Sequence, residues 1–282
     1  MNNIVIIGAG KEGKAYLGEV YDAAGWNVTF LDKDSRVVEA LKKAGEYRVT
    51  VLRENRTDER IISGYEVYDT DDSYSCMKRM EDADVIALCL YPEDIEEAIR
   101  YIGPCLRKRA ADNPKQNLLI LSCTNKNRIM EKNEALLLEE LSEENQKVWY
   151  RERVAFRDVI VRRSGNALSN HALCLTTKAL QSLLIQGPVN VDLSGVEWMQ
   201  VCDEVEFLKD IKLFVHNCSH AACAYAGYVK GYTTTQDAER DDEIAALMKG
   251  CLAEASAGIR AEFHPTLEQL EMVGCSMKAK ED

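Results

Sequence analysis

The stretch that most constrains this fold is residues 1–32, MNNIVIIGAGKEGKAYLGEVYDAAGWNVTFLD. NIVII (3–7) is a short β-branched run, the kind a parallel strand buried on both faces requires. It runs straight into GAGKEG, with Gly8, Gly10 and Gly13 in G-x-G-x-x-G spacing. Helical periodicity follows through Ala15, Leu17, Val20 and Ala23, Gly25 closes that helix, and WNVTFLD reads as a second strand ending in Asp32. Gly8 permits a tight turn, Gly10 lets backbone approach a pyrophosphate, and Gly13 lets helix pack closely on strand. The helix start, with Ala9, Lys11 and Glu12 between the glycines, offers free N–H groups and a positive dipole end to phosphates. Asp32, 19 residues after Gly13, is expected to accept hydrogen bonds from the adenosine ribose hydroxyls. The same carboxylate would repel a 2′-phosphate, so NAD is expected over NADP. The competing reading is a glycine-rich turn that holds nothing. Strand, helix, second strand and acid in this order favour the dinucleotide.

Further strand–helix units follow. EYRVTVL (46–52), DVIALCL (84–90) and NLLILSC (117–123) read as strands, with helical patterns near 92–108 and 126–143. VAFRDVIV (154–161) and HALCLTT (171–177) read as strands extending the same sheet. The expectation is an α/β protein with a Rossmann-type, doubly wound, mostly parallel sheet, followed by an all-helical C-terminal domain. Ligands bind beyond the carboxyl ends of such strands, so Leu90, Tyr91 and the segments YPED and TNKN should line the cleft. The domains are expected at 1–190, binding the dinucleotide, and 191–282, helical and carrying substrate and catalytic residues.

Composition narrows the partners. A net charge of −12 and the lack of a basic run argue against nucleic acid or an anionic membrane surface. No apolar run is long enough to span a bilayer, and the N-terminus reads as a strand rather than a signal peptide. The ten cysteines include no Cys-x-x-Cys, so they are expected to be reduced cytoplasmic thiols with no metal role. The acidic run LLLEELSEENQK (136–147) is expected to be a solvated helix face.

From about 200 the pattern is helical almost to the end. EVEFLKDIKLFVHNCSHAACAYAGYVKG reads as one long helix, and DEIAALMKGCLAEASAGIRAEF (242–263) as another. The first carries polar groups where packing would favour apolar ones. At about 100° per residue, His220 lies roughly 80° and Asn217 roughly 140° from Lys212, and Lys212, His216 and His220 form an i, i+4, i+8 stripe. Leu208, Ile211 and Val215 surround Lys212 on the helix, and desolvation there would lower its pKa. A lysine near ~10.4 is a poor base at neutral pH; one brought to ~7–8 is a good one. These groups either line a domain interface with satisfied hydrogen bonds or carry catalysis, and their company beside a dinucleotide cleft favours catalysis.

The pattern K-x4-N-x2-H in KLFVHNCSH resembles the catalytic helix of the polyol-specific long-chain dehydrogenases, the mannitol dehydrogenase family. The similarity extends to GAGKEGKAYLG, YRVTVLRE and YTTTQDAERDDEIAALMKGCLAEA, and so covers nearly the whole chain. It implies NAD-dependent oxidation of a polyol or polyol phosphate to the ketose, of the mannitol 1-phosphate to fructose 6-phosphate type. It implies that Lys212 takes the alcohol proton as general base, that Asn217 holds the developing alkoxide, and that His220 orients the reacting hydroxyl. Asn125, in SCTN after the fifth strand, matches a further family asparagine near the reacting oxygen. Two departures stand out. Family members carry a long further C-terminal region, so the helical domain is expected to be shortened. Where the family has V-D-R, this chain has Val161-Arg162-Arg163, which suits an anionic substrate such as a sugar phosphate or sugar acid.

The alternative function is a degenerate relative that binds NAD(H) as a sensor or partner-binding module without turnover. Self-association is compatible with either reading. A short-chain dehydrogenase would need Tyr-x-x-x-Lys near the nicotinamide; Tyr74 and Lys78 have that spacing but precede the fourth strand.

Overall fold

The structure, a computed structural model, describes residues 2–53, 56–162, 173–178 and 182–273. Two compact units emerge, Met1–Val205 and Glu206–Asp282.

The first unit is built on an eight-stranded sheet. Strands β1 (Asn3–Ile7), β2 (Asn27–Asp32), β5 (Glu66–Asp69), β6 (Val85–Leu88), β7 (Leu118–Ser122) and β8 (Val154–Val161) are parallel and lie in the order β5-β2-β1-β6-β7-β8. That is the doubly wound 3-2-1-4-5-6 order, with its switch point between β1 and β6. β10 (Leu183–Gln186) adds to β8 antiparallel, and β11 (Met199–Cys202) closes that edge. With β10 and β11 in this sheet, the unit runs to Val205.

Helices cover both faces, as the continuous apolar strands demand. They are α1 (Glu19–Ala23), α2 (Ser35–Ala44), α3 (Ser73–Glu81), α4 (Ile95–Asp112), α5 (Met130–Glu139) and α6 (Glu144–Arg153). Ile4 and Ile6 face one core and Val5 and Ile7 the other, the strict alternation of a strand buried on both sides. The acidic run 136–147 is not one helix face. It spans the junction of α5 and α6, where Glu143 forms a capping box with Gln146 and Glu140 faces Arg100 and Arg107.

Two expected strands go elsewhere. β3 (Glu46–Leu52) pairs antiparallel with β4 (Thr57–Ser63) and parallel with β9 (Cys174–Lys178) in a separate three-stranded sheet. The third strand of the main sheet is the short β5 instead. The reason is in the burial of β3, where Tyr47, Val49 and Val51 are buried and Glu46 and Arg48 exposed. Such alternation suits a sheet with one wet face, not a doubly covered parallel strand.

The second unit is helical. α7 (Val205–Lys212) leads through a π-helical turn, Leu213–Asn217, into α8 (Cys218–Val229). α9 (Thr235–Ala238), α10 (Asp242–Phe263) and α11 (Leu267–Met272) follow. Cys223, Ala238 and Ile244 form a small core between α8, α9 and α10. Asp241 caps α10 by accepting from the N–H groups of Glu243 (3.0 Å) and Ile244 (3.2 Å), and also receives Lys230 Nζ at 2.9 Å. No helix among the described residues is long and apolar enough to cross a membrane.

Candidate active site

A cavity of about 600 Å³ opens at the carboxyl ends of the central strands. That is the position and size expected of a ligand site in a doubly wound sheet. Gly8, Gly10, Lys11, Glu12, Asp32, Leu90 and Tyr91 all line it, and so does Asn125 from the end of β7. Ala9 and Gly13 do not; Ala9 is fully buried behind the loop.

The glycines fit the cradle they were read as. Gly8 has φ +101°, and a Cβ there would strike the Cys89 carbonyl. A Cβ on Gly13 would strike the Gly8 carbonyl, so the close approach of helix to loop requires glycine. Gly10 meets only open space on the cavity side. The helix behind the loop begins at Lys11 and Glu12 and winds as a π-helix over Gly13–Gly18. The Lys14 N–H already donates to the Gly10 carbonyl at 3.1 Å, so the N–H groups open to an anion are those of the helix start ahead of it.

Asp32 acts on the loop as well as on the cavity. Its Oδ2 accepts the Ala9 N–H at 2.6 Å and its Oδ1 the Asp34 N–H at 2.9 Å. Lys33, the next residue, also lines the cavity and pairs there with Asp94 (2.7 Å) and Glu97 (3.4 Å). Cys89 sits on the cavity wall, and its hydrogen bond to Cys123, together with burial, pushes its thiol well up. Lys14 lies behind the loop, 3% exposed, with Nζ donating to the Ala9 carbonyl. Burial lowers its pKa to about 8, against the opposing pull of Asp32.

The helical unit carries the other candidates. Leu208, Ile211 and Val215 are buried and Lys212 is half-buried among them. Asn217 is half-buried and His220 exposed. The α-helical angles expected for this stretch do not hold. The Cys218 N–H donates to the Leu213 carbonyl, five residues back, so the segment between Lys212 and Cys218 is π-helical. Residues five apart then lie nearly above one another, which brings Lys212 and Asn217 closer to one face than the roughly 140° of an α-helix. Lys209 and Asp210, one turn earlier, are both buried. Arg162 follows β8 and donates to Ser182 Oγ at 3.2 Å. Arg163 and the side chain of His216 lie outside the described residues. Among the described residues, no group of three or more His, Cys, Asp or Glu is arranged to hold a metal ion.

Sequence comparison matches residues 2–178 to the mannitol dehydrogenase Rossmann domain and residues 204–269 to the mannitol dehydrogenase C-terminal domain. The chain belongs to the mannitol dehydrogenase family. It is 26% identical over 261 residues to the mannitol-1-phosphate 5-dehydrogenase of Shouchella clausii (strain KSM-K16), covering 92% of this chain and 69% of that protein. Its fold is similar to that of Pseudomonas fluorescens mannitol 2-dehydrogenase, solved as a ternary complex with NAD and D-mannitol, with TM-score 0.74 at 16% identity. That match covers 93% of this chain and 63% of the mannitol 2-dehydrogenase, so the chain spans less than two thirds of that relative's length. A substrate-free D-sorbitol dehydrogenase is also similar, with TM-score 0.71 at 15% identity over 96% of this chain and 68% of that one.

Sequence reasoning missed Lys14, Tyr101 and Thr70. The last two line the cavity from elements whose approach only the fold reveals. For Lys14 a signal existed: it shares i, i+4, i+7 spacing with Gly18 and Tyr21, both buried.

Proposed function

We propose that this member of the mannitol dehydrogenase family oxidises a polyol or polyol phosphate to the ketose with NAD, in the manner of mannitol 1-phosphate to fructose 6-phosphate. The observation that carries this reading is the single cavity wall shared by Gly8, Gly10, Asp32, Leu90, Tyr91 and Asn125. NAD, when bound, supplies the hydride acceptor. The loop Gly8–Gly13 and the helix behind it hold the pyrophosphate, and Asp32 receives the adenosine ribose. Asn125, at the far end of the same wall, steadies the reacting oxygen. Lys212 takes the alcohol proton, Asn217 donates to the alkoxide and His220 orients the hydroxyl. The π-helical turn supports this assignment, since such turns recur at functional sites and this winding brings Lys212 and Asn217 closer to one face than an α-helix would. Arg162 suits a substrate that carries an anionic group.

The test is NADH formation with mannitol 1-phosphate, sorbitol 6-phosphate, mannitol and hexonates. Lys212→Ala should remove most turnover and leave NADH binding unchanged; a variant that keeps its turnover would discard the lysine as base. A second reading, binding NAD(H) without turnover, is favoured by the exposure of His220. It becomes the better one if wild type binds NADH yet oxidises none of these substrates.

A further inference from the structure

Lys14 is an expensive residue to place where it is. A buried ammonium loses its hydration, and an apolar side chain of similar length would fill the space at lower electrostatic cost. Yet its contacts are specific. Nζ donates to the Ala9 carbonyl, while the Ala9 N–H donates to Asp32 Oδ2 at 2.6 Å. Both peptide groups flanking Ala9 are therefore gripped by full charges of opposite sign. The Lys14 carbonyl in turn accepts from Tyr47 Oη at 3.0 Å, which ties the first helical turn to β3.

We propose that Lys14 is a positioning residue for the dinucleotide, fixing the plane of the Ala9–Gly10 peptide in the phosphate cradle and adding a positive charge directly behind it. The proposal rests on reading the cavity as a dinucleotide site. It predicts a pH dependence with a definite sign. A bound pyrophosphate favours the ammonium, so Lys14 holds its proton more tightly in the complex than in the free protein, where its pKa is about 8. The contribution to affinity is complete below that value and is lost as pH rises above it, by up to about tenfold per pH unit. The other ionisable groups on surrounding elements are Lys11, Glu12 and Tyr16 in the turn itself, Glu19, Tyr21 and Asp22 on α1, Asp32 on β2, Tyr47 on β3, Cys89 after β6, and Cys174 and Lys178 on β9. Burial raises Tyr47 well above this window and pushes the Cys89 thiol well up, and burial also raises the Asp22 carboxyl. Every group retained in both proteins adds the same slope to wild type and variant, so the difference between the two isolates the lysine.

NADH affinity is measured by fluorescence titration from pH 6.5 to 9.5 for wild type, Lys14→Met and Lys14→Arg. Wild type should weaken above about pH 8. Lys14→Met should bind roughly tenfold or more weakly at pH 7 and lose the pH-dependent difference, as expected for a lost charge-assisted hydrogen bond. Lys14→Arg, charged throughout, should restore affinity at pH 9 relative to Lys14→Met. Equal affinities and parallel pH profiles for wild type and Lys14→Met overturn the proposal. If wild type binds no NADH at any pH, the dinucleotide reading itself fails. Amide exchange then decides on the lysine: faster exchange at Ala9 and Gly10 in Lys14→Met sustains its positioning of the loop, and unchanged exchange rejects it.

Discussion

Both oxygens of Asp32 already accept backbone N–H groups before any ribose arrives. A carboxylate has about four lone-pair directions, so on the proposed reading ribose hydroxyls would share the group rather than displace the loop. Removing the side chain therefore does two things at once. Asp32→Ala should weaken NADH by roughly tenfold or more and speed amide exchange at Ala9 and Asp34, through loss of charge-assisted hydrogen bonds. The preference over NADPH should shrink toward parity without reversing, because Lys33, which lines the same cavity, is already paired with Asp94 and Glu97. Paired titrations with NADH and NADPH check this; an unchanged ratio between the two would remove Asp32 as the selecting residue. Asp32 and Gly8 were legible in the sequence because their chemistry depends on spacing alone. The latch on Ala9 was not, since it depends on how β2 and the loop meet in space.

At the scale of elements, two π-helical turns stand at the two candidate sites, one behind the glycine loop and one at Lys212–Asn217. A π turn holds one residue more than an α turn. Deleting a residue from Leu213–Asn217 should let the helix close as continuous α-helix and rotate α8 by about 100° relative to α7. Phe214 is the residue to delete, because its side chain is 53% exposed and its own packing contributes little. The deletion should keep helical circular dichroism and abolish turnover, while Phe214→Ala keeps both; full activity in the deletion variant would show that the turn has no part in aligning Lys212 with Asn217. Hydrophobic period alone found this helix but not its extra residue, since LFVHN fits either winding. The α10 helix was readable to both ends, with 22 residues of helical period following directly on the aspartate cap Asp241. β5 was missed because EVYD has four residues, too few for a period to register.

For the whole molecule, the doubly wound order could be read from its longer strands, and the helical unit from the change in period. The small β4-β3-β9 sheet could not, because β9 is joined to β3 only by a pairing between residues 48–52 and 174–178. The cysteines are spread through both units, and the nine that are described are free thiols. Cys76, Cys105, Cys123 and Cys223 are buried, and burial pushes Cys105 up to about 12. Cys174 and Cys218 are exposed. In native protein an aromatic disulfide reagent should therefore modify Cys174 and Cys218 rapidly and the four buried thiols only on unfolding, as peptide mapping would read. Rapid labelling of Cys105 or Cys223 would contradict their packing.

The pairing of β3 with β9 also sets an order of assembly. Arg48 meets Cys174 and Leu52 meets Lys178, so this ladder closes a loop of more than a hundred residues. Such closure is entropically costly and slow, and its ladder cannot form until the later strand exists. The six parallel strands of the main sheet are complete by Val161, before β9 has left the ribosome. β3 carries Tyr47, whose hydroxyl fastens the turn that holds Lys14. On a nascent chain the main sheet can therefore assemble while β3, which braces the turn behind the glycine loop, has only β4 beside it, and the three-stranded sheet is among the last features to mature.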